Sequence, residues 1–159
     1  GDIVVFVAWD PQYKGALDLA RESGCFTVVG LSAVEDPQVE HADMAFGSRS
    51  DLTRDFEPTH HLDRFGQIVV TRGSSGADHH GPDGIVHQAA RPARIVDTTG
   101  AGDAFLSGYL SMLAQGEPPQ RALHAGARWA AAMVSIEASI PPPWPRVAAR
   151  EELDARPAR

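Results

Sequence analysis

The chain has 159 residues, with 21 acidic against 14 Lys and Arg side chains and a formal charge of −7. That balance argues against a nucleic-acid or anionic-membrane partner, and the length suits one ordinary core and hence a single domain. No apolar run approaches a membrane span. A single cysteine, Cys25, leaves no internal disulfide and reads as a small buried hydrophobe rather than a nucleophile. The chain begins at Gly1 without a signal-peptide pattern, so a cytoplasmic location is expected, although truncation would have removed any such signal.

Ile3-Val4-Val5-Phe6-Val7 is a continuously apolar run, the pattern of a strand buried on both faces. Ala16, Leu17, Leu19 and Ala20 mark a helix from about Gln12 to Ser23, closed by Gly24. Phe26 to Leu31 is a second buried strand, and strand-helix-strand with short links implies a right-handed crossover and a parallel α/β sheet. Ligands of such sheets sit at the carboxyl ends of the strands, which singles out the loops after Val7, Leu31, Phe46 and Val96. A weaker strand spans His41 to Phe46, and Gly47 to Leu52 follows it. Ser50 or Asp51 there is suited to cap a helix near Leu52.

Gln67 to Thr71 is another buried strand, followed by the glycine-rich turn Arg72-Gly73-Ser74-Ser75-Gly76-Ala77. Residues 76 to 88 read as a hairpin around Gly81-Pro82-Asp83-Gly84, with Ile85-Val86-His87 as the return strand. The pairs His60-His61 and His79-His80 lack the spacing and companions of a zinc site and read as solvated loop histidines.

Arg94-Ile95-Val96 is strand-like and leads through Asp97-Thr98-Thr99-Gly100-Ala101-Gly102-Asp103 into a helix. Phe105, Leu106, Tyr109, Leu110 and Leu113 form its apolar stripe, and it ends near Gly116. The glycine loop therefore lies at a helix N-terminus, where unpaired N–H groups and the positive end of the dipole favour an anion. A carboxylate in that first turn, Asp103, opposes a bound phosphate unless a proton acceptor is wanted there. A general base beside an anion hole is what phosphoryl transfer to a hydroxyl needs. Glu117-Pro118-Pro119 opens a further helix to about Ala138, with Leu123, Gly126, Ala127, Ala130, Met133 and Val134 as packing positions. A stiff Pro-rich linker and charged tail occupy residues 143–159.

The run from Asp97 to Phe105 resembles the C-terminal signature of the ribokinase-like (PfkB) carbohydrate and nucleoside kinases. That resemblance implies a three-layer ribokinase-like fold with a parallel sheet, of which residues 1–142 would form the C-terminal, nucleotide-binding portion. The family's N-terminal half, with its sugar-holding strands and small β-lid, has no counterpart here. A fragment or a truncated gene product is implied, and exposed sheet edges would then promote self-association.

Carried over residue by residue, the resemblance makes Asp103 the catalytic base and Gly100, Ala101 and Gly102 the anion hole. Thr71, Gly73 and Gly76 match the family's Thr-x-Gly-x-x-Gly segment beside the nucleotide phosphates, and Arg72 adds a guanidinium suited to phosphate oxygens. Thr99 and Gly126 are assigned to nucleotide binding, although the family usually has Asn near Gly126. The family's Asn-x-x-Glu motif falls on Ser48 and Asp51, where Asp51 keeps a carboxylate for a magnesium-bound water. Ser139-Ile140-Pro141 resembles a stretch that in some members encloses a monovalent cation, which makes potassium a candidate beside ATP and Mg²⁺. The implied acceptor is a sugar or sugar derivative. A nucleoside acceptor, or a nucleotide-binding fragment without activity, are the alternatives.

Overall fold

The structure, a computed structural model, describes residues 1–137 and Pro143. The expected linker and tail, Pro143 apart, lie outside the described residues, as does Ser139-Ile140-Pro141. Six strands form one sheet in sequence order: β1 (Ile3–Phe6), β2 (Phe26–Gly30), β3 (Ala42–Ser48), β4 (Phe65–Thr71), β5 (Ala77–Gly81) and β6 (Gly84–Gln88). The first four run parallel, with Val5 opposite Val28, Val28 opposite Met44, and Ser48 opposite Thr71. β5 turns back antiparallel to β4. Three α-helices are present among the described residues: α1 (Lys14–Glu22), α2 (Ala101–Leu113) and α3 (Pro119–Val134). The chain packs as two compact units, Gly1–His87 and a second from Gln88 onward.

In the first unit, α1 makes the crossover from β1 to β2, as the parallel pairing requires. The core joins Leu17 of α1 to Val29, Ala42, Ala45, Ile68 and Val70 of the sheet and to Leu31, Ala33, Val34 and Val39 after β2. Arg64 ties that last segment down. Its guanidinium donates to the carbonyls of Val34 (3.0 Å), Asp36 (2.7 Å) and Val39 (2.6 Å), so backbone acceptors that no strand pairs are satisfied by one side chain.

Two strand expectations need correction. β1 is not buried on both faces: Val5 is 36% and Val7 62% exposed, because β1 is the edge of the described sheet. His79 and His80 are not solvated loop residues. They lie within β5 and are buried, because this strand is covered on both faces. Burial pushes both imidazoles toward the neutral form, and neither ring nitrogen of His80 has a hydrogen-bond partner among the described residues.

In the second unit, Arg94-Ile95-Val96 is not a strand. Among the described residues it pairs with no strand, and Ile95 is 67% exposed. Its hydrogen bonds go instead to the end of α3, where Val96 and Asp97 N–H both donate to the Val134 carbonyl, at 2.7 and 3.3 Å. α2 buries Ala104, Phe105, Leu106, Gly108 and Tyr109, and α3 buries Ala122, Leu123, Ala125, Gly126, Ala127 and Met133. Of the stripe expected on α2, Phe105, Leu106 and Tyr109 are buried and Leu110 and Leu113 half-buried, and small residues bring the two helices together. A Cβ on Gly126 would stand 2.8 Å from the Phe105 carbonyl oxygen, and one on Gly108 would stand 2.8 Å from the Ala125 carbonyl oxygen. Backbone meets backbone, and only glycine fits. Cys25 is partly exposed rather than fully buried.

Arg64→Met removes the guanidinium while keeping the alkyl stem. It is expected to lower stability by about 2–4 kcal/mol, because several buried carbonyls lose a charged donor together. Urea unfolding should show a lower midpoint at an unchanged slope.

Candidate active site

The glycine loop that the sequence singles out is organised by a residue that sequence reasoning did not assign. The Asp97 carboxylate accepts from Thr99 N–H at 2.9 Å and from Thr99 Oγ at 2.8 Å. These two bonds hold the carboxyl of Asp97 below its usual range. The loop then folds onto itself, with Ala101 N–H donating to the Thr98 carbonyl at 3.2 Å. Gly100 stands at the N-cap of α2 with φ +74°, a left-handed conformation that side chains with a Cβ rarely adopt. The spacing Asp-x-Thr is the signal that could have found Asp97, since a carboxylate reaching the backbone two residues on is a recurrent turn device.

This arrangement decides which amides are available. Among the described residues, the N–H groups of Gly100, Gly102 and Asp103 have no acceptor, whereas Ala101 N–H and Thr99 N–H are consumed within the loop. Of the amides expected to form an anion hole, that of Ala101 is therefore engaged within the loop, whereas those of Gly100 and Gly102 keep no acceptor among the described residues. Asp103 itself sits in the first turn of α2 and is exposed. A carboxylate beside unpaired donors at the positive end of a helix can take a proton from a hydroxyl while those donors meet negative charge.

Gly126 is not part of this loop. It is buried in α3 against the backbone of Phe105, two residues along α2 from Asp103. At this helix spacing an asparagine in its place would collide, so the departure from the family's Asn and the close packing of α2 on α3 go together.

In the first unit, Thr71, Arg72, Gly73 and Gly76 share one turn at the carboxyl end of β4. Arg72 N–H donates to the Gly76 carbonyl at 2.7 Å, and Thr71 Oγ donates to the Gly47 carbonyl at 3.3 Å. Ser48 is the register partner of Thr71, so the end of β3 and this turn lie side by side. Ser48 and Asp51 cap one 3-10 turn reciprocally: Ser50 N–H donates to Ser48 Oγ, and Ser48 N–H donates to Asp51 Oδ2 at 3.2 Å. The cap expected at Ser50 or Asp51 is therefore on Ser48. Asp51 remains exposed, and among the described residues no group of three or more His, Cys, Asp or Glu side chains could hold a metal ion. Both oxygens of Asp51 accept within this turn, Oδ2 from Ser48 N–H and Oδ1 from Ser50 Oγ at 3.3 Å. No helix among the described residues is long and apolar enough to cross a membrane.

Because the carboxyl of Asp97 is depressed in the folded loop, its contribution to loop order is fully present above the unfolded carboxylate range. It is lost as pH falls through the lowered folded value. The Thr99 amide proton should therefore titrate in NMR spectra with a midpoint below the unperturbed 3.8, and Asp97→Asn should abolish that titration.

The geometry has counterparts among known proteins. The model of the pfkB family carbohydrate kinases matches residues 18–146. A nucleoside kinase of Methanocaldococcus jannaschii is 27% identical over 95% of this chain and 55% of its own length. A fructokinase of Salmonella thompson is 39% identical over 70% of this chain and 47% of its own length. The crystal structure of a ribokinase from Thermotoga maritima superposes with a TM-score of 0.80 at 19% identity, over 96% of this chain and 57% of that one. The chain spans about half the length of the curated relatives it matches. Its fold is the ribokinase-like α/β fold with a mostly parallel sheet, and with the family model matching most of its residues the chain belongs to the pfkB family of carbohydrate kinases.

Proposed function

We propose that the chain is the C-terminal, nucleotide-binding portion of an ATP-dependent phosphotransferase that moves the γ-phosphoryl group to a hydroxyl of a sugar or sugar derivative. The observation that carries this reading is the start of α2, where an exposed Asp103 stands among N–H groups that lack an acceptor. Asp103 takes the proton of the attacking hydroxyl, and the Gly100, Gly102 and Asp103 amides offset charge developing on the phosphoryl oxygens. Thr99 and Gly126 support the nucleotide side of this unit, Gly126 by allowing α3 to approach.

In the first unit, Thr71, Arg72, Gly73 and Gly76 are assigned to the nucleotide phosphates, and Asp51 is the residue that would hold a magnesium-bound water. Magnesium, when bound, offsets phosphate charge. Potassium is assigned by resemblance to residues outside the described ones. The sugar acceptor is supported by the family and by fructokinase relatives; the nucleoside kinase relative supports a nucleoside as the alternative acceptor. The second reading is a nucleotide-binding chain without turnover of its own. The open edge at β1, with Val5 and Val7 exposed, supports self-association, which sedimentation should reveal as a concentration-dependent rise in mass. The assigned location is cytoplasmic.

Calorimetric titration with ATP and magnesium, followed by phosphoryl-transfer assays with fructose and a nucleoside panel, tests the proposal. Saturable binding with transfer supports the kinase, binding without transfer supports the second reading, and a folded chain that binds no ATP sinks both. In an active preparation, Asp103→Asn is expected to cut kcat by about two to four orders of magnitude with little change in ATP affinity. Unchanged turnover would remove Asp103 from the role of base.

A further inference from the structure

One buried carboxylate in the first unit is left over from the assignments above. Asp78 of β5 is buried, with its side chain 10% exposed, and it has two cationic or potentially cationic partners. Oδ2 forms an ion pair with Arg72 Nε at 2.7 Å, and Oδ1 accepts from His87 Nδ1 at 2.6 Å. The hairpin explains the second contact, because a two-residue turn at Pro82 and Asp83 sets Asp78 across from His87. The first contact reaches back over the glycine turn to the residue that follows Thr71.

The Arg72 side chain is 44% exposed, and among the described residues its two Nη groups have no acceptor. With the carboxylate at Nε, the planar guanidinium keeps the parallel pair of N–H donors on its outer Nη edge, which is the geometry that forks onto phosphate oxygens. Asp78 is fixed in turn, since His87 occupies its other oxygen. The turn that carries Arg72 closes the carboxyl end of a parallel strand, where open α/β sheets take their ligands.

We propose that Asp78 is a positioning residue that aims the Arg72 guanidinium at the polyphosphate of a bound nucleotide, with His87 locking the carboxylate in place. This inference rests on the ATP-binding reading given above. Asp78 touches no phosphate; it acts by reducing the freedom that a long side chain would otherwise lose on binding.

The test is calorimetric titration of the full chain with ATP and magnesium in five forms: unaltered, Arg72→Ala, Arg72→Lys, Asp78→Asn and the double variant Arg72→Ala/Asp78→Asn. Thermal unfolding is read on each. Positioning predicts about a tenfold rise in Kd for Arg72→Ala, nearly the same rise for Arg72→Lys and for Asp78→Asn, and no further rise in the double variant. Arg72→Lys with unaltered affinity would overturn the inference, since charge would then suffice. So would a folded Asp78→Asn with unaltered affinity, or losses that multiply in the double variant. If Asp78→Asn does not fold, the exposed Arg72→Lys decides. ATP binding by the unaltered chain with any of these adverse patterns leaves the kinase reading standing, whereas no ATP binding at all removes both.

Discussion

An α-helix cannot pair its own first N–H groups, and the candidate site is built on how this chain treats that constraint at α2. A side-chain cap would have satisfied those groups and closed the place to a ligand. Instead Gly100 occupies the cap position in a left-handed conformation with no side chain to offer. Asp97, three residues earlier, spends its carboxylate on Thr99 and shapes the loop without covering the helix end. What remains is a set of donors with an acid among them. At the end of β3 the same constraint is met the opposite way: Ser48 and Asp51 cap their short turn from both sides, and the backbone there is self-sufficient.

Packing keeps α2 in place. Gly108 and Gly126 let the backbones of α2 and α3 come together, which trades side-chain burial for close main-chain contact. The cost falls on position 126, where any Cβ would strike the Phe105 carbonyl. Gly126, a packing position by its spacing in the sequence, thus allows the close seating of the helix that bears Asp103.

The first unit rests on a comparable use of single polar side chains. Arg64 gathers the carbonyls of an irregular segment that no strand pairs, and Asp78 gathers Arg72 and His87. In each case a planar, forked or two-oxygen group joins parts of the chain that lie far apart in sequence or on different elements. Such groups are effective because one ordered side chain satisfies several partners, so the entropy of fixing it is spread over several bonds.

Periodicity and turn chemistry by themselves determined most of the architecture. The apolar runs at residues 3–7, 26–31 and 67–71, the helical stripe from Phe105 and the Pro82-Asp83 turn are local patterns, and local patterns survive tertiary assembly when packing agrees with them. The loop from Asp97 to Asp103 was legible for the same reason: a helix end and its glycines are neighbours in sequence. Tertiary structure decided what depends on neighbours. Ile95 and Val96 have the composition of a strand but pair with none among the described residues, and Val96 N–H bonds to the end of α3 instead. His79 and His80 have the composition of a loop but are enclosed by the sheet they join. Asp78 acquired its partners only when separate elements met. Those outcomes turn on which surfaces come into contact, and no one-dimensional spacing carries that information.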